Sequence, residues 1–193
     1  MGAQRLGGAA PLTESIRAFF GLPLPEANRE RVESYLRECS DAAPEFRWSD
    51  PNNLHLTLRF VGSVDRAVVE GIAERLEAGG AFDVALGEVG TFKRGRLARV
   101  VWLGVGEGAE SLRALAGRLE AGCRAAGLEA ETRAFKPHLT LARAKPRDGA
   151  PLPELPPLPN LDRWRATELV LYSSHLGRGG AVHEPIRTIT LGE

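Results

Sequence analysis

The chain has 193 residues and 43% hydrophobic residues, which fits one globular domain or one domain with two lobes. Its 25 basic and 25 acidic residues cancel, so bulk charge gives no sign of strong nonspecific binding to long nucleic acid. No apolar run reaches the roughly 18–20 residues of a membrane-spanning helix, and the N-terminus lacks a signal-peptide pattern. We therefore expect a cytoplasmic protein with no membrane partner.

Residues 1–15 are rich in glycine and alanine without periodicity, and we expect them to form a disordered tail. The first half of the remaining chain is then predicted to form a strand at 16–22, a helix at 26–39, a short strand at 46–48, a strand at 54–61 and a helix ending at the glycines 79–80. Ser63 and Asp65 are candidate N-caps of that second helix.

The second half repeats this alternation of strands and helices. It is predicted to form a strand at 82–89, a hairpin with arms at Phe92 and 99–105, a helix at 110–126, a strand at 137–143, an extended proline-rich loop at 151–159 and strands at 168–172 and 183–191. The basic turn of the hairpin either contacts RNA or is simply solvated.

The order of elements predicts an α+β fold. We expect residues 16–193 to form a single bilobal domain, built as a duplicated unit with two antiparallel sheets lining a central cleft and helices packed on the outside. Cys39 and Cys123 lie far apart in sequence, show no metal-binding spacing and are expected to be small core residues.

One five-residue pattern occurs twice, as Leu54-His55-Leu56-Thr57-Leu58 and as Pro137-His138-Leu139-Thr140-Leu141. The alternation of polar and apolar residues is typical of a strand with one buried face. The leucines then face a core, while the His and Thr of each copy project together from the opposite face. Two such pairs facing one another could hold a phosphate between them. The alternative is that both histidines are ordinary core residues, which the duplication disfavours.

The paired motifs are accompanied by flanking segments, which are Trp48 and Phe60-Val61-Gly62, Phe135-Lys136 and Ala142-Arg143, Arg17-Ala18-Phe19-Phe20, and Glu168 to Ser174. With these flanks the chain resembles the two-histidine (2H) phosphoesterases, and among them the RNA 2′,3′-cyclic phosphodiesterases once described as 2′-5′ RNA ligases. The resemblance covers residues 16–191. It departs from the family in the N-terminal extension and at His183, where a tyrosine is often found.

The resemblance implies an enzyme that hydrolyses RNA 2′,3′-cyclic phosphate ends to a 2′-phosphomonoester without a metal or other cofactor. It implies that His55 is the proton donor and His138 the proton acceptor, roles that the residues alone do not assign. Thr57 and Thr140 are expected to donate hydrogen bonds to the phosphate. Arg143 occupies a matching position, but counting by twos places it on the wrong face unless a bulge or strand end redirects it.

Other functions remain as alternatives. The same groups could run the reverse reaction as a 2′-5′ RNA ligase, or the protein could be a non-catalytic RNA- or nucleotide-binding module. A two-histidine zinc site lacks evident further ligands. The expected partner is an RNA or nucleotide with a 2′,3′-cyclic phosphate end, bound by a monomer. His175 and His183 are expected to take no part in the chemistry. Phe60 and Trp48 are expected to pack in the core, with stacking on the substrate as the alternative.

Overall fold

The computed structural model describes residues 14–177 and 180–192. Residues 1–13 of the expected disordered tail lie outside the described residues. Ser15, the last residue of that expected tail, belongs to the first strand. The strands of the described part are β1 (Ser15–Pro23), β2 (Phe46–Trp48), β3 (His55–Asp65), β4 (Phe82–Val84), β5 (Leu86–Arg94), β6 (Leu97–Val105), β7 (His138–Ala144), β8 (Trp164–Ala166), β9 (Glu168–Gly177) and β10 (Gly180–Thr190). The helices are α1 (Glu26–Ala42), α2 (Arg66–Arg75) and α3 (Ala109–Ala125).

Most of the strands form one antiparallel sheet. Its order is β10-β9-β1-β3-β7-β6-β5, with β2 also paired to β7, and β4 and β8 form a separate two-stranded sheet. The α+β class is therefore confirmed. The expectation of one sheet for each half is wrong in detail, because the two motif strands β3 and β7 are neighbours. They join through a single pair, Leu56 with Leu139, so the sheet is narrowest at its centre.

The core lies on one face of this sheet. Buried side chains from all three helices join the leucines of both motif strands in one hydrophobic cluster. In α3 the buried residues recur at helical spacing, which gives the helix one apolar face; they are Leu112, Leu115, Ala116, Leu119 and Cys123. The helices therefore pack on the leucine face, opposite the His and Thr side chains.

Local signals set the start of α2 and the end of α3, whereas α2 ends at Arg75 and not at the predicted glycines 79–80. The carboxylate of Asp65 accepts a hydrogen bond from the Ala67 backbone N–H, at 3.0 Å, and caps α2. Gly127 follows α3 with a φ of 79°, a conformation that favours glycine. The predicted strand at 82–89 is instead split between β4 and β5, which pair with different partners, β8 and β6. A local pattern carries no information about which strand each half will pair with.

Cys39 and Cys123 are buried free thiols, as expected. Within residues 14–177 and 180–192, no helix is long and apolar enough to cross a membrane.

Because Leu139 is fully buried where β7 pairs with β3, we expect Leu139→Ala to destabilise the fold by about 2–5 kcal/mol. Leu176→Ala is the matched control, since Leu176 is 90% exposed, and should change the stability by less than about 0.5 kcal/mol. Urea unfolding followed by circular dichroism measures both. Equal stability of the two variants would contradict the central place given to the Leu56–Leu139 pair.

Candidate active site

The four motif residues lie on adjacent strands of the sheet. His55 and Thr57 are on β3, and His138 and Thr140 are on β7. Because Leu56 pairs with Leu139, the residues on either side of this pair project from the opposite face of the sheet. The fold therefore brings both His-Thr pairs onto one face of the sheet, on either side of the point where β3 pairs with β7.

Each motif histidine is oriented by the backbone in the same way. The Nδ1–H of His55 donates to the carbonyl of Asn53 at 2.7 Å, and the Nδ1–H of His138 donates to the carbonyl of Lys136 at 2.6 Å. Since a carbonyl only accepts, these bonds place the proton of each neutral ring on Nδ1. The lone pair on Nε2 is then the group that takes up or gives back a proton.

The two sites differ at that nitrogen. In His55, Nε2 lies 2.9 Å from the hydroxyl oxygen of Thr57, so the hydroxyl donates to the neutral ring. Among the described residues, none forms a hydrogen bond with Nε2 of His138 or with the hydroxyl of Thr140. His138 thus presents an open lone pair, whereas that of His55 is occupied until the ring takes up a proton.

Aromatic rings surround His55. Its ring stacks on Phe19, with centroids 4.6 Å apart, and contacts Tyr172 at 5.9 Å and His183 edge-on at 5.3 Å. Gly21 makes room for it, because a Cβ there would lie 3.1 Å from the His55 ring. Burial lowers the pKa of His55 to about 4; the Asn53 carbonyl opposes this shift and His183 adds to it. In the free protein His55 is neutral at pH 7.

His138 has a second aromatic setting. Its ring forms T-shaped contacts with Phe92 and Trp102, with centroids 5.0 and 6.2 Å apart. The ammonium of Lys136 lies 4.2 Å from the centre of the Trp102 ring. Gly90 lies under the indole, where a Cβ would overlap it. Burial lowers the pKa of His138, opposed by the Lys136 carbonyl bond and assisted by the positive charges of Arg143 and Lys136.

A β-bulge settles the orientation of Arg143. Val101 pairs with Ala142 but Trp102 pairs with Thr140, which leaves Leu141 as an extra residue in β7. Leu141 and Ala142 are consecutive buried residues, and Arg143 is exposed. The bulge reverses the alternation, so Arg143 lies on the same face as His138 and Thr140. Its charge acts on His138, as the lowered pKa of that ring reflects.

An equivalent bulge occurs in β3. Phe20 pairs with Arg59 and Gly21 with Thr57, which leaves Leu58 as the extra residue. Arg59 consequently points to the helix side, where its Nε donates to Glu120 at 2.7 Å.

Phe60 follows on the motif face of β3 and is the counterpart of Arg143, each lying five residues after its histidine. The expectation that Phe60 packs in the core is wrong, since it is 46% exposed. Its ring is parallel to that of Phe19 at 6.0 Å, and the guanidinium of Arg17 lies 5.7 Å from its centre. Trp48, by contrast, is half-buried and packs against the core.

His183 also lies at the candidate site, and the expectation that it takes no part in the chemistry stays a prediction. The ring lies edge-on to both His55 and Phe19, although it is far from the motifs in sequence. Its Nδ1 is buried and has no hydrogen-bond partner in the described part of the chain, which favours the neutral form with the proton on Nε2. Burial, with His175 nearby, lowers its pKa. The only signal in the sequence was that this residue replaces the tyrosine often found there.

The aromatic residues that frame the histidines were also not singled out as site residues from the sequence, because apolar strand residues are the commonest core residues.

The positive charge of the turn between β5 and β6 is partly neutralised by the protein, since Arg94 donates to the carboxylate of Asp148 at 2.6 Å. In residues 14–177 and 180–192, no three His, Cys, Asp or Glu side chains converge as metal ligands would.

Comparison with known proteins places this geometry in a family. Residues 24–178 match the model of the 2′-5′ RNA ligase superfamily. An RNA 2′,3′-cyclic phosphodiesterase of Methanothermobacter thermautotrophicus is 31% identical over an alignment of 184 residues that covers 91% of this chain and 99% of the relative. One of Escherichia coli is 31% identical over 180 residues, covering 91% of this chain and 97% of the relative.

The fold agrees with this match. The crystal structure of E. coli LigT complexed with 3′-AMP has a TM-score of 0.77 at 29% identity, covering 93% of this chain and all of that one. Motif pairing, register and overall similarity therefore lead to one conclusion: the chain belongs to the 2′-5′ RNA ligase superfamily, and within it to the family of the RNA 2′,3′-cyclic phosphodiesterases.

Proposed function

We propose that this protein hydrolyses RNA 2′,3′-cyclic phosphate ends to 2′-phosphomonoesters by general acid–base catalysis between His55 and His138. His138 takes a proton from water, and the water oxygen forms a bond to phosphorus. The bond between phosphorus and the 3′ oxygen breaks, and His55 gives its proton to that oxygen. One proton enters the pair and one leaves it, so the two histidines exchange protonation states in each turnover.

The observation that carries the proposal is the placement of both His-Thr pairs on one face of neighbouring strands. Each histidine is held through Nδ1 by the carbonyl of the residue two positions earlier in the chain, which leaves Nε2 for proton transfer. A site that only bound nucleotide would have no use for two oriented rings of this kind. The named relatives are RNA 2′,3′-cyclic phosphodiesterases, and E. coli LigT was solved with a bound nucleotide.

The surroundings of the rings support the assignment of roles in part. His138 is neutral in the free protein and its Nε2 is open, which is the state required of a base. The donor role of His55 requires a protonated ring, which burial opposes. The negative charge of the bound phosphate counteracts burial, because a nearby anion raises the pKa of a histidine. Protonation of His55 also frees the Thr57 hydroxyl to donate to the phosphate.

Thr140 and Arg143 complete the phosphate site. The Thr140 hydroxyl is uncommitted among the described residues and lies on the motif face, and Arg143 is brought to the same face by the bulge. Hydrogen bonds from these groups and from Thr57 hold the charge that accumulates on the nonbridging oxygens in the transition state.

The first test uses an RNA oligomer with a 2′,3′-cyclic phosphate end. We expect His55→Ala and His138→Ala each to lower kcat by about 10²–10⁴-fold, because each removes one proton-transfer group. His175→Ala is the control, since this ring is half-exposed and contacts neither motif histidine. Product analysis identifies the position of the phosphate.

A 3′-phosphate product, or near-normal turnover by either motif variant, would contradict the proposal. Joining of the cyclic phosphate end to a 5′-hydroxyl as the main reaction would favour the ligase, and binding without turnover would favour the binding module.

A second test separates the two roles. In a 3′-deoxynucleoside 2′-(p-nitrophenyl phosphate) the leaving group is p-nitrophenolate, which needs no proton. If His55 is the acid, His55→Ala should regain most of the wild-type rate on this substrate, while His138→Ala should stay slow on both substrates. Release of p-nitrophenolate is followed by absorbance. Rescue of His138→Ala instead would reverse the assignment.

The pH dependence follows from the burial of both rings. Catalysis needs one proton on the pair, and the pKa of each ring in the free protein lies below the ordinary 6.5. We therefore expect kcat/KM to be highest below pH 6.5 and to fall as the pH rises, because the single proton is lost. The kcat profile should extend to higher pH, since bound phosphate raises both pKa values. A kcat/KM that increases above pH 6.5 would contradict this.

A further inference from the structure

A second arginine stands beside Arg143. Arg47 on β2 is the direct cross-strand partner of Arg143 on β7. Directly opposed residues of neighbouring strands project from the same face of a sheet, and both arginines are exposed. On β2, Phe46 is buried in the core, which leaves Arg47 on the other face. Two guanidinium groups therefore lie side by side on the face that carries the motif histidines.

The charges of this pair are not balanced by the protein. In the part of the chain that the structure describes, neither Arg47 nor Arg143 forms a salt bridge with a carboxylate. Beyond the pair Phe46 and Ala144, the next residues on the face of the arginines are Glu45 and Lys145, which carry opposite charges and are joined by a backbone hydrogen bond of 2.9 Å. Like charges directly opposed on neighbouring strands destabilise a sheet, so the arrangement favours an anion between or above the two arginines.

The pair lies close to the motif residues of β7 rather than away from them. Strand β7 pairs with β6 along one edge and with β2 and β3, one after the other, along its other edge. Ser49, just after β2, also binds β7: its backbone N–H donates to the carbonyl of Leu141, and its hydroxyl donates to the carbonyl of Thr140. Arg47 lies two residues before Ser49, about 7 Å farther along the strand.

We propose that Arg47 binds the phosphodiester on the 5′ side of the terminal nucleotide, so that the preferred substrate is an RNA chain rather than a cyclic mononucleotide. This rests on the proposed function. Arg143 serves the reacting phosphate, and Arg47 meets the next phosphate of the chain. A guanidinium is suited to this contact because its planar fork of N–H groups matches two phosphate oxygens.

The test compares two substrates that differ only in that phosphodiester, a dinucleotide ending in a 2′,3′-cyclic phosphate and the corresponding cyclic mononucleotide. We expect Arg47→Ala to raise KM for the dinucleotide about ten- to one-hundred-fold, the range for a charge-assisted hydrogen bond, with kcat unchanged. The kinetics of the mononucleotide should not change. Arg47→Lys keeps the charge but loses the fork, and should fall between Arg47→Ala and the wild type.

Arg113→Ala is the matched control, since it removes one exposed arginine from α3 on the helix side of the sheet. It should alter neither substrate, and circular dichroism confirms that each variant is folded. An equal loss on both substrates would place Arg47 at the reacting phosphate and overturn the proposal, as would no effect on either.

Failure of the proposed function is distinguishable from failure of this inference. If the wild type hydrolyses neither substrate, the hydrolase proposal fails. Binding then decides on Arg47, measured by calorimetry with the dinucleotide and the mononucleotide that each end in a 2′-phosphate. Weaker binding of only the dinucleotide by Arg47→Ala supports the subsite. Unchanged binding, or equal weakening for both ligands, contradicts it.

Discussion

The structure depends on one cross-strand pair at the centre of the sheet. Leu56 and Leu139 are the only residues through which β3 and β7 pair in the described chain, and both are buried in the core formed with the helices. Because side chains alternate along a strand, burial of these leucines places the histidine and threonine of each motif on the other face. A shift of one residue in this register would turn one His-Thr pair into the core.

In each motif strand a β-bulge just after the threonine interrupts the alternation of side chains between the two faces of the sheet. The extra residues Leu58 and Leu141 reset which side chains face the site. As a result the two halves, so similar in their motifs, carry different groups at the equivalent next position. One half presents Phe60, an aromatic ring, and the other presents Arg143, a cation. The two motif strands thus offer an apolar and a charged side chain next to one pair of histidines.

The same packing that holds the histidines also sets their proton affinity. His55 is enclosed by aromatic rings and His138 by rings and two positive charges, so the pKa of each ring lies below 6.5 in the absence of an anion. In the proposed mechanism a bound phosphate changes this balance, since it brings negative charge close to both rings. Proton transfer would then be coupled to occupation of the site, and in this mechanism neither ring needs a carboxylate partner.

Several features of the protein could be predicted from the sequence alone. These were the α+β class, the three helices, the two His-Thr strands with their buried leucines, and the family, because each is written in local periodicity or in a motif with its flanks. The tertiary structure decided what depends on pairing between distant segments. It joined the strands in one sheet, turned Arg143 toward the site through a bulge, exposed Phe60 and brought His183 against His55. Register and partner choice depend on long-range packing, which local periodicity does not encode.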